Sequence, residues 1–505
     1  MLVHGMKSSP RRAAFSAISM VAGLSFAFAA NAAEIQMDEG SKIVEHSATV
    51  FKPDPDYKKT PYSADAQRDI YGGKSAVETP RPLLELGRKQ YTAGPFEKGV
   101  DLVGKKNLLF QGFSIYGDWR TAVAYNDNGA AEVGRIATRL NLDIDWKLTS
   151  TERLHAFMRP LDQGGNFTRV DFSADDESGS EFVGDGNLET LFFEGDVGSI
   201  ATGLSDSYSG FDLPFAVGLM PLLFQNGVWM EDAFTGGAFT IPARNSVALD
   251  ISNMDFTFFA GFDKVTSPAI TDGIGDQADH NVNIYGAAAF VEANLGYWEA
   301  GYARLDGRDG LDEFVFHNVT LAHTRRFGAL LSNSARVIWS FGQNRDNNAQ
   351  QTADGVVILL ENSLITSKPS TYIPYFNLFA GFDRPQSAAR DNGGILKNTG
   401  INFETDGLTG FPKLDDTAHD TYGGAIGINY LFGLDRQIVA EIAGLKIRGN
   451  DNETGRAAAG DQFAIGLRYQ QPISKTWIVR GDVIAGFRDS ADDLTGIRFE
   501  VRRKF

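Results

Sequence analysis

From Arg135 to Leu148 the chain alternates without interruption: Ile136, Thr138, Leu140, Leu142, Ile144, Trp146 and Leu148 share one parity, and Arg135, Ala137, Arg139, Asn141, Asp143, Asp145 and Lys147 share the other. Side chains of extended backbone point alternately to opposite faces, so such a strand is apolar on one side and charged on the other. The segment before it repeats the pattern, with Phe113, Ile115, Trp119, Val123 and Tyr125 against Ser114, Tyr116, Asp118 and Arg120. Soluble strands usually run about 5 or 6 residues, whereas a strand tilted across a bilayer needs about 9 to 11 and extends past it. Alternation at this length predicts strands that cross a membrane.

The pattern recurs. Besides 109–125 and 135–148, candidate strands fall near 151–160, 187–198, 213–220, 245–252, 254–262, 281–292, 294–305, 313–325, 333–341, 355–364 and 372–382. A second group covers 421–431, 437–447, 460–470, 475–487 and 495–505. Together they make eighteen, an even number that leaves both ends of the wall on one side; sixteen is the alternative, because 213–220 contains Pro214, 254–262 abuts its neighbour and 313–325 alternates poorly. Breaks at Ser150, 432–434 and 471–474 read as short periplasmic turns, and 162–186, 264–280, 342–354 and 383–420 as outer loops. The last either folds inward as a constriction or packs on the surface.

The two ends bear on the compartment. Lys7, Arg11 and Arg12 precede an apolar run ending in Ala30-Asn31-Ala32, so 1–32 reads as a signal peptide cleaved after Ala32. Its removal takes the net charge from −17 to −20. No later run is long and apolar enough for a transmembrane helix. Residues 33–105, rich in charge and proline, read as a periplasmic extension or a partial plug, and 106–505 as an all-β, antiparallel transmembrane barrel. The final strand places Ile497, Phe499, Val501, Arg503 and Phe505 on one face. Here the chain resembles bacterial outer-membrane barrels, whose last strand typically ends in an aromatic residue. That resemblance implies a Gram-negative outer membrane, surrounding lipid, and Phe505 as a signal to the barrel assembly machinery.

A narrower resemblance rests on Thr138-Arg139-Leu140-Asn141-Leu142 through Trp146, Arg153-Leu154-His155-Ala156-Phe157, and Gly218-Leu219-Met220-Pro221-Leu222-Leu223-Phe224 with Gly227. These stretches look like parts of the alginate-export family of outer-membrane channels, which implies a monomeric barrel of about eighteen strands passing anionic or polar solutes.

If the apolar faces meet lipid, the charged faces line a wet lumen, because backbone groups in hydrocarbon must pair and the wall must close. The pore-lining candidates are Asp118, Arg120, Arg135, Arg139, Asp143, Asp145, Arg153, Arg159, Arg304, Arg468, Arg480, Asp482, Arg498 and Arg502. Guanidinium groups could hand a carboxylate along through bidentate contacts; equally, many of these side chains could pair across strands and stiffen the wall. Trp119, Tyr125, Trp146, Tyr297, Tyr430, Tyr469 and Trp477 suit interfacial girdles.

Other classes find little support. Acidic charge argues against nucleic acid, and with no cysteine and seven histidines a metal centre is not expected. The acidic stretches 171–185 and 409–420 lack EF-hand spacing. No nucleophile elbow, H-E-x-x-H or phosphate-binding loop is present, and nothing associates His155, His317, His323 or His419 with a serine and a carboxylate. The expected function is passive diffusion of small polar solutes, with anionic or carboxylated ones as the narrower expectation, and without a cofactor. A structural or adhesive barrel is the alternative, and a barrel-embedded hydrolase a more distant one.

Overall fold

Alternating segments this long cannot leave their edges unpaired in lipid, and in a computed structural model they pair edge to edge until the sheet meets itself. Residues 59–61, 80–87, 99–102, 104–110, 112–172, 178–271, 278–345, 351–432, 436–449 and 456–505 are described. Residues 1–32, expected to be a signal peptide, the acidic residues Asp175, Asp176 and Glu177, and most of 33–105 lie outside them.

The wall opens with β1 (Gly112–Asp127), β2 (Glu132–Lys147), β3 (Arg153–Met158), β4 (Leu188–Asp196), β5 (Pro214–Phe224) and β6 (Met230–Ser246). It continues through β7 (Ile251–Asp263), β8 (Val282–Ala293), β9 (Gly296–Gly307), β10 (Phe316–Phe327), β11 (Leu331–Phe341) and β12 (Asp354–Leu364). It ends with β13 (Tyr372–Arg384), β14 (Thr421–Phe432), β15 (Arg436–Ile447), β16 (Gln462–Pro472), β17 (Trp477–Arg488) and β18 (Leu494–Lys504). Each strand runs antiparallel to the next, and β18 returns to β1 with Lys504 opposite Asp118 and Thr495 opposite Asp127. The result is a closed barrel of 18 strands. Beyond the short β3, residues Asn166–Asp171 fold back to pair with the upper part of β2.

One expected strand is misplaced. The segment 245–252 is mostly the turn between β6 and β7, with a 3-10 turn at Val247–Leu249; the strand lies before it, at Met230–Ser246. Pro242 and the Gly236-Gly237 pair interrupt its alternation, and the register with β7 shifts between Ile241 and Arg244, so no clean period marked it. Pro214 is tolerated because it begins β5, where a missing N–H is least costly.

Outward alternates form an exposed apolar belt that includes Val123, Tyr125, Trp146, Leu321, Trp339, Ile426, Ile442, Phe463, Leu467, Val483 and Phe499. Inward alternates are buried, and many are polar or small: Asn318, Thr320, Arg336, Ala425, Glu441, Ala464, Asp482 and Arg498. Tyr297, expected in the girdle, shares the parity of Glu299 and Gly301 and stacks on Phe290 with ring centres 5.6 Å apart.

Loop 385–420 folds into the barrel. Its Ala388, Ile395, Leu396, Phe403 and Leu414 join Trp229, Phe234, Phe259, Phe316, Ile338 and Phe379 in one buried apolar cluster. Ala389-Arg390 pair in parallel with Met230-Glu231, and Arg390 donates to Glu231 and to the Gly227 and Val228 carbonyls. An inward-folded segment thus fills part of the interior from one rim.

At the rim that carries the C-terminus, Asp196 caps α1 (Val197–Ser205) by accepting from Ser199 N at 2.6 Å. Gly104 lies so close to Gly203 that a Cβ there would overlap its carbonyl. Ahead of the wall in sequence, Leu84–Gly87 pairs with Gly112–Ile115 on the edge of β1 that β18 does not reach, since Phe505 ends opposite Gly117.

Candidate functional site

Twelve of the charged residues singled out from the sequence share the inward parity of their strands. They are Asp118, Arg120, Arg135, Arg139, Asp143, Asp145, Arg153, Arg468, Arg480, Asp482, Arg498 and Arg502. Arg159 follows β3 in the loop. Arg304 departs from the expectation. It shares its face with Tyr302, opposite His317, whereas its neighbours Ala303 and Leu305 are the buried, inward ones. It pairs with Asp306 at 2.7 Å on the outer face. The inner face of β9 is apolar here because it packs against the inward-folded interior, so polarity does not mark the lumen on this strand.

The first group spans the seam where the barrel closes. Register sets Arg139 of β2 opposite Arg120 of β1, and Arg120 opposite Arg502 of β18. Their side chains are 23%, 30% and 22% exposed. Like charges placed directly opposite repel, and carboxylates lie between them. Asp118 is 2.8 Å from Arg120 and 3.4 Å from Arg502, Glu500 is 3.2 Å from Arg502, and Asp162 is 3.4 Å from Arg139 and 3.2 Å from Arg159. Burial pushes the Asp162 carboxyl up despite the pull of Arg159 and Arg139. The Arg139 guanidinium also lies 5.5 Å from the Phe167 ring centre.

Towards the rim opposite the C-terminus Arg135 grips Asp171 with two bonds, at 2.6 and 3.0 Å, and Arg169 joins Asp171 to Glu181. Towards the other rim Arg153 lies 3.9 Å from Asp145 and 3.8 Å from Glu194, which also meets His155 at 3.1 Å. His155 stacks on Phe192. Asp143 sits between them on β2, opposite Phe157 and Tyr116.

The second group joins β16, β17 and β18 to the inward loop. Asp482 accepts from Arg468, Arg480 and Arg498 at 2.7, 2.9 and 2.8 Å. Asp406 reaches Arg498 at 2.5 Å, and Glu404 meets Arg468 at 2.6 Å and Arg480 at 3.2 Å. Burial disfavours a charge on Asp406, yet Arg498 and hydrogen bonds from Thr409 hold its carboxyl below the usual range. Strand periodicity does not mark the loop carboxylates Glu404 and Asp406, nor Asp162 and Glu189, the two carboxylates that meet Arg159 at 3.2 and 2.7 Å. The one signal was Ile395, Leu396, Phe403, Leu408 and Leu414, apolar residues recurring in a segment otherwise read as a polar loop.

Among the described residues no three His, Cys, Asp or Glu side chains are placed to hold a metal ion. Chemically, these parts of the inner wall are guanidinium groups held by carboxylates, several of them, such as Arg468, Arg480, Arg498 and Arg502, shared between two. They offer short, charge-assisted donors to an anion and exchangeable partners to a dipolar solute.

No family model and no curated relative matches the sequence. Among solved structures, the fold is similar to Acinetobacter baumannii OccAB4, at 12% identity and a TM-score of 0.50, over 78% of this chain and 98% of that one. It is similar to Pseudomonas aeruginosa OccK11 (OpdR), at 9% identity and 0.50, over 78% and 96%. It is also similar to Pseudomonas aeruginosa OpdK solved with vanillate, at 12% identity and 0.50, over 78% and 98%. With its closed wall and exposed apolar belt, the chain shares with these structures the fold of a closed, 18-stranded antiparallel β-barrel.

Proposed function

We propose that this protein is a porin through which small polar solutes diffuse passively, with a preference for anions that carry a carboxylate. The observation that carries the reading is the row Arg139, Arg120 and Arg502. Three partly exposed guanidinium groups face one another across adjacent strands of an inner wall. A row of like charges at this spacing favours an anion over either a cation or an empty, dehydrated site. Carboxylates at its flanks keep the row from binding one anion too tightly to release it. The strongly acidic chain total does not oppose this reading, because attraction inside a channel is set by the groups that line it.

The test is single-channel recording of refolded protein in a planar bilayer under a salt gradient, with vanillate, benzoate and a short uronate oligomer then added. The uronate is included because of the resemblance to the alginate-export family. Conductance with an anion-selective reversal potential, lost when Arg120, Arg139 and Arg502 are replaced by alanine, is the expected result. A cation-selective channel overturns the anionic reading.

The inward fold of 385–420 favours a second reading, a structural or adhesive barrel without transport; folded protein that never conducts would select it. In either reading Phe505, bonded to Gly117 at the seam, serves as the assembly signal.

A further inference from the structure

We propose that the Glu404 side chain is an internal stand-in for a solute carboxylate. It occupies a site made by Arg468 and Arg480, and solutes bind there by displacing it. The inference rests on the channel reading above and adds to it a second carboxylate subsite, with the loop residue that competes for it.

The geometry is that of a bound anion. Each Glu404 oxygen meets a different guanidinium, Oε2 at 2.6 Å from Arg468 Nη1 and Oε1 at 3.2 Å from Arg480 Nη2. A free carboxylate would adopt this bridging arrangement between two arginines. Depth divides the network into two parts. Arg498, at 1% exposure, is locked between Asp482 and Asp406, while the Glu404 side chain is 33% exposed at the accessible edge.

The backbone around Glu404 is anchored, so exchange needs only a side-chain rotation. Phe403 is buried edge-on against Phe379, with ring centres 5.9 Å apart. Asn402 donates from N and Nδ2 to Glu441 Oε1, both at 2.9 Å. Asp406 is tied to Arg498 and to Thr409. Rotamer changes of partly exposed side chains take picoseconds to nanoseconds, far faster than loop unfolding.

Charge explains why a competitor is needed. Without Glu404, the only ion pairs left to the three guanidinium groups among the described residues would be those with Asp482 and Asp406, with Glu500 opposite Arg480 on the neighbouring strand, and the two at the edge would hold a carboxylate that reached them more tightly. An internal carboxylate makes binding an exchange of like for like. The arginines are never left bare, and the solute is released when Glu404 returns.

The experiment compares wild type with Glu404→Gln in planar bilayers. It reads the vanillate and benzoate concentrations that half-block the current, with heat-dependent electrophoretic mobility confirming a folded barrel. Neutralising the competitor should lower the half-blocking concentration about tenfold, the scale of one charged hydrogen-bonding partner. Adding Arg480→Ala to Glu404→Gln should abolish the gain. Glu404→Asp, which keeps the charge but draws it back from the two guanidiniums, should fall between wild type and Glu404→Gln. Folded Glu404→Gln channels blocked at wild-type concentrations would overturn the inference while leaving the channel reading intact. Wild-type channels that conduct but that no carboxylate blocks would overturn the subsite and leave the channel reading intact, and folded wild-type protein that never conducts would overturn both.

Discussion

Arg502 on the last strand stands directly opposite Arg120 on the first, with Asp118 2.8 Å from one and 3.4 Å from the other. The closing seam of the barrel therefore brings together two like charges and the carboxylate that reconciles them. Asn141 donates to the other Asp118 oxygen at 2.6 Å, fixing it in place. Asp118→Asn should destabilise the barrel by about 1 to 3 kcal/mol, the value of a partly buried charged hydrogen bond, and should shift the reversal potential further towards anions. Unfolding temperature, followed by electrophoretic mobility after heating, and selectivity in a salt gradient check the two effects; if neither moves, Asp118 does not hold the seam.

The inward segment depends on Trp229. Its ring is fully buried, its Nε1 donates to Asn318 at 2.7 Å, and its carbonyl accepts from Ala388 N at 2.8 Å. Gly301 makes room for the ring, since a Cβ there would lie 2.5 Å from Trp229 Cη2. Trp229→Ala should cost about 3 to 5 kcal/mol, as large-to-small core changes do, and should loosen 385–390 from β6. The expected readout is a larger, noisier conductance; current indistinguishable from wild type would show that the segment is held by other contacts.

Two titratable groups of that segment oppose each other in pH. Burial, reinforced by the charge of Asp416, pushes the Asp415 carboxyl up to about 7, and Lys413 only partly offsets this. Burial, with Arg384 close by, lowers His419 to about 4 against the opposite pull of Asp420 and Asp416. The folded protein therefore holds an extra proton on Asp415, whose contribution to stability is complete below the ordinary carboxylate value of 3.8 and lost as the pH rises through about 7. His419 runs the other way: its contribution is complete above 6.5 and lost as the pH falls through about 4. Asp415→Asn should stabilise the protein relative to wild type at about pH 8 and change little at about pH 4. Unfolding temperatures across that range test this, and a wild-type slope in the variant would remove Asp415 as its source.

The wall was legible because its periodicity is a local property. Arg135–Leu148 announces both its length and its two faces within fourteen residues, and β14 to β18 do nearly as well. β6 was hidden because Pro242 and a glycine pair break the period that a bulged strand no longer keeps. The interior was hidden for a different reason. Glu404 finds Arg468 and Arg480 only after loop 385–420 has turned inward, and that turn is driven by Ile395, Phe403 and Leu414 packing on strands distant in sequence. Arg304 shows the limit of reading polarity as direction. Beneath a filled section of the barrel the inner face becomes apolar, and an arginine at the rim of such a strand faces outward.

The short strand Leu84–Gly87 completes the seam where β18 ends. Phe505 and Gly117 exchange backbone bonds at 2.9 and 3.1 Å, and below them β1 would present a bare edge at Gly112–Ile115 were it not for the pairing of Leu84 with Ile115 and Gly87 with Gly112. An open edge exposes backbone donors and acceptors to other chains. Replacing Glu85 or Leu86 by proline removes a backbone donor and fixes φ, and it should disrupt this pairing without touching the barrel interior. The variants should keep wild-type selectivity while unfolding at a lower temperature and associating more readily. Mobility after heating, with cross-linking to detect association, measures both. Altered ion selectivity in these variants would instead place the segment in the solute path.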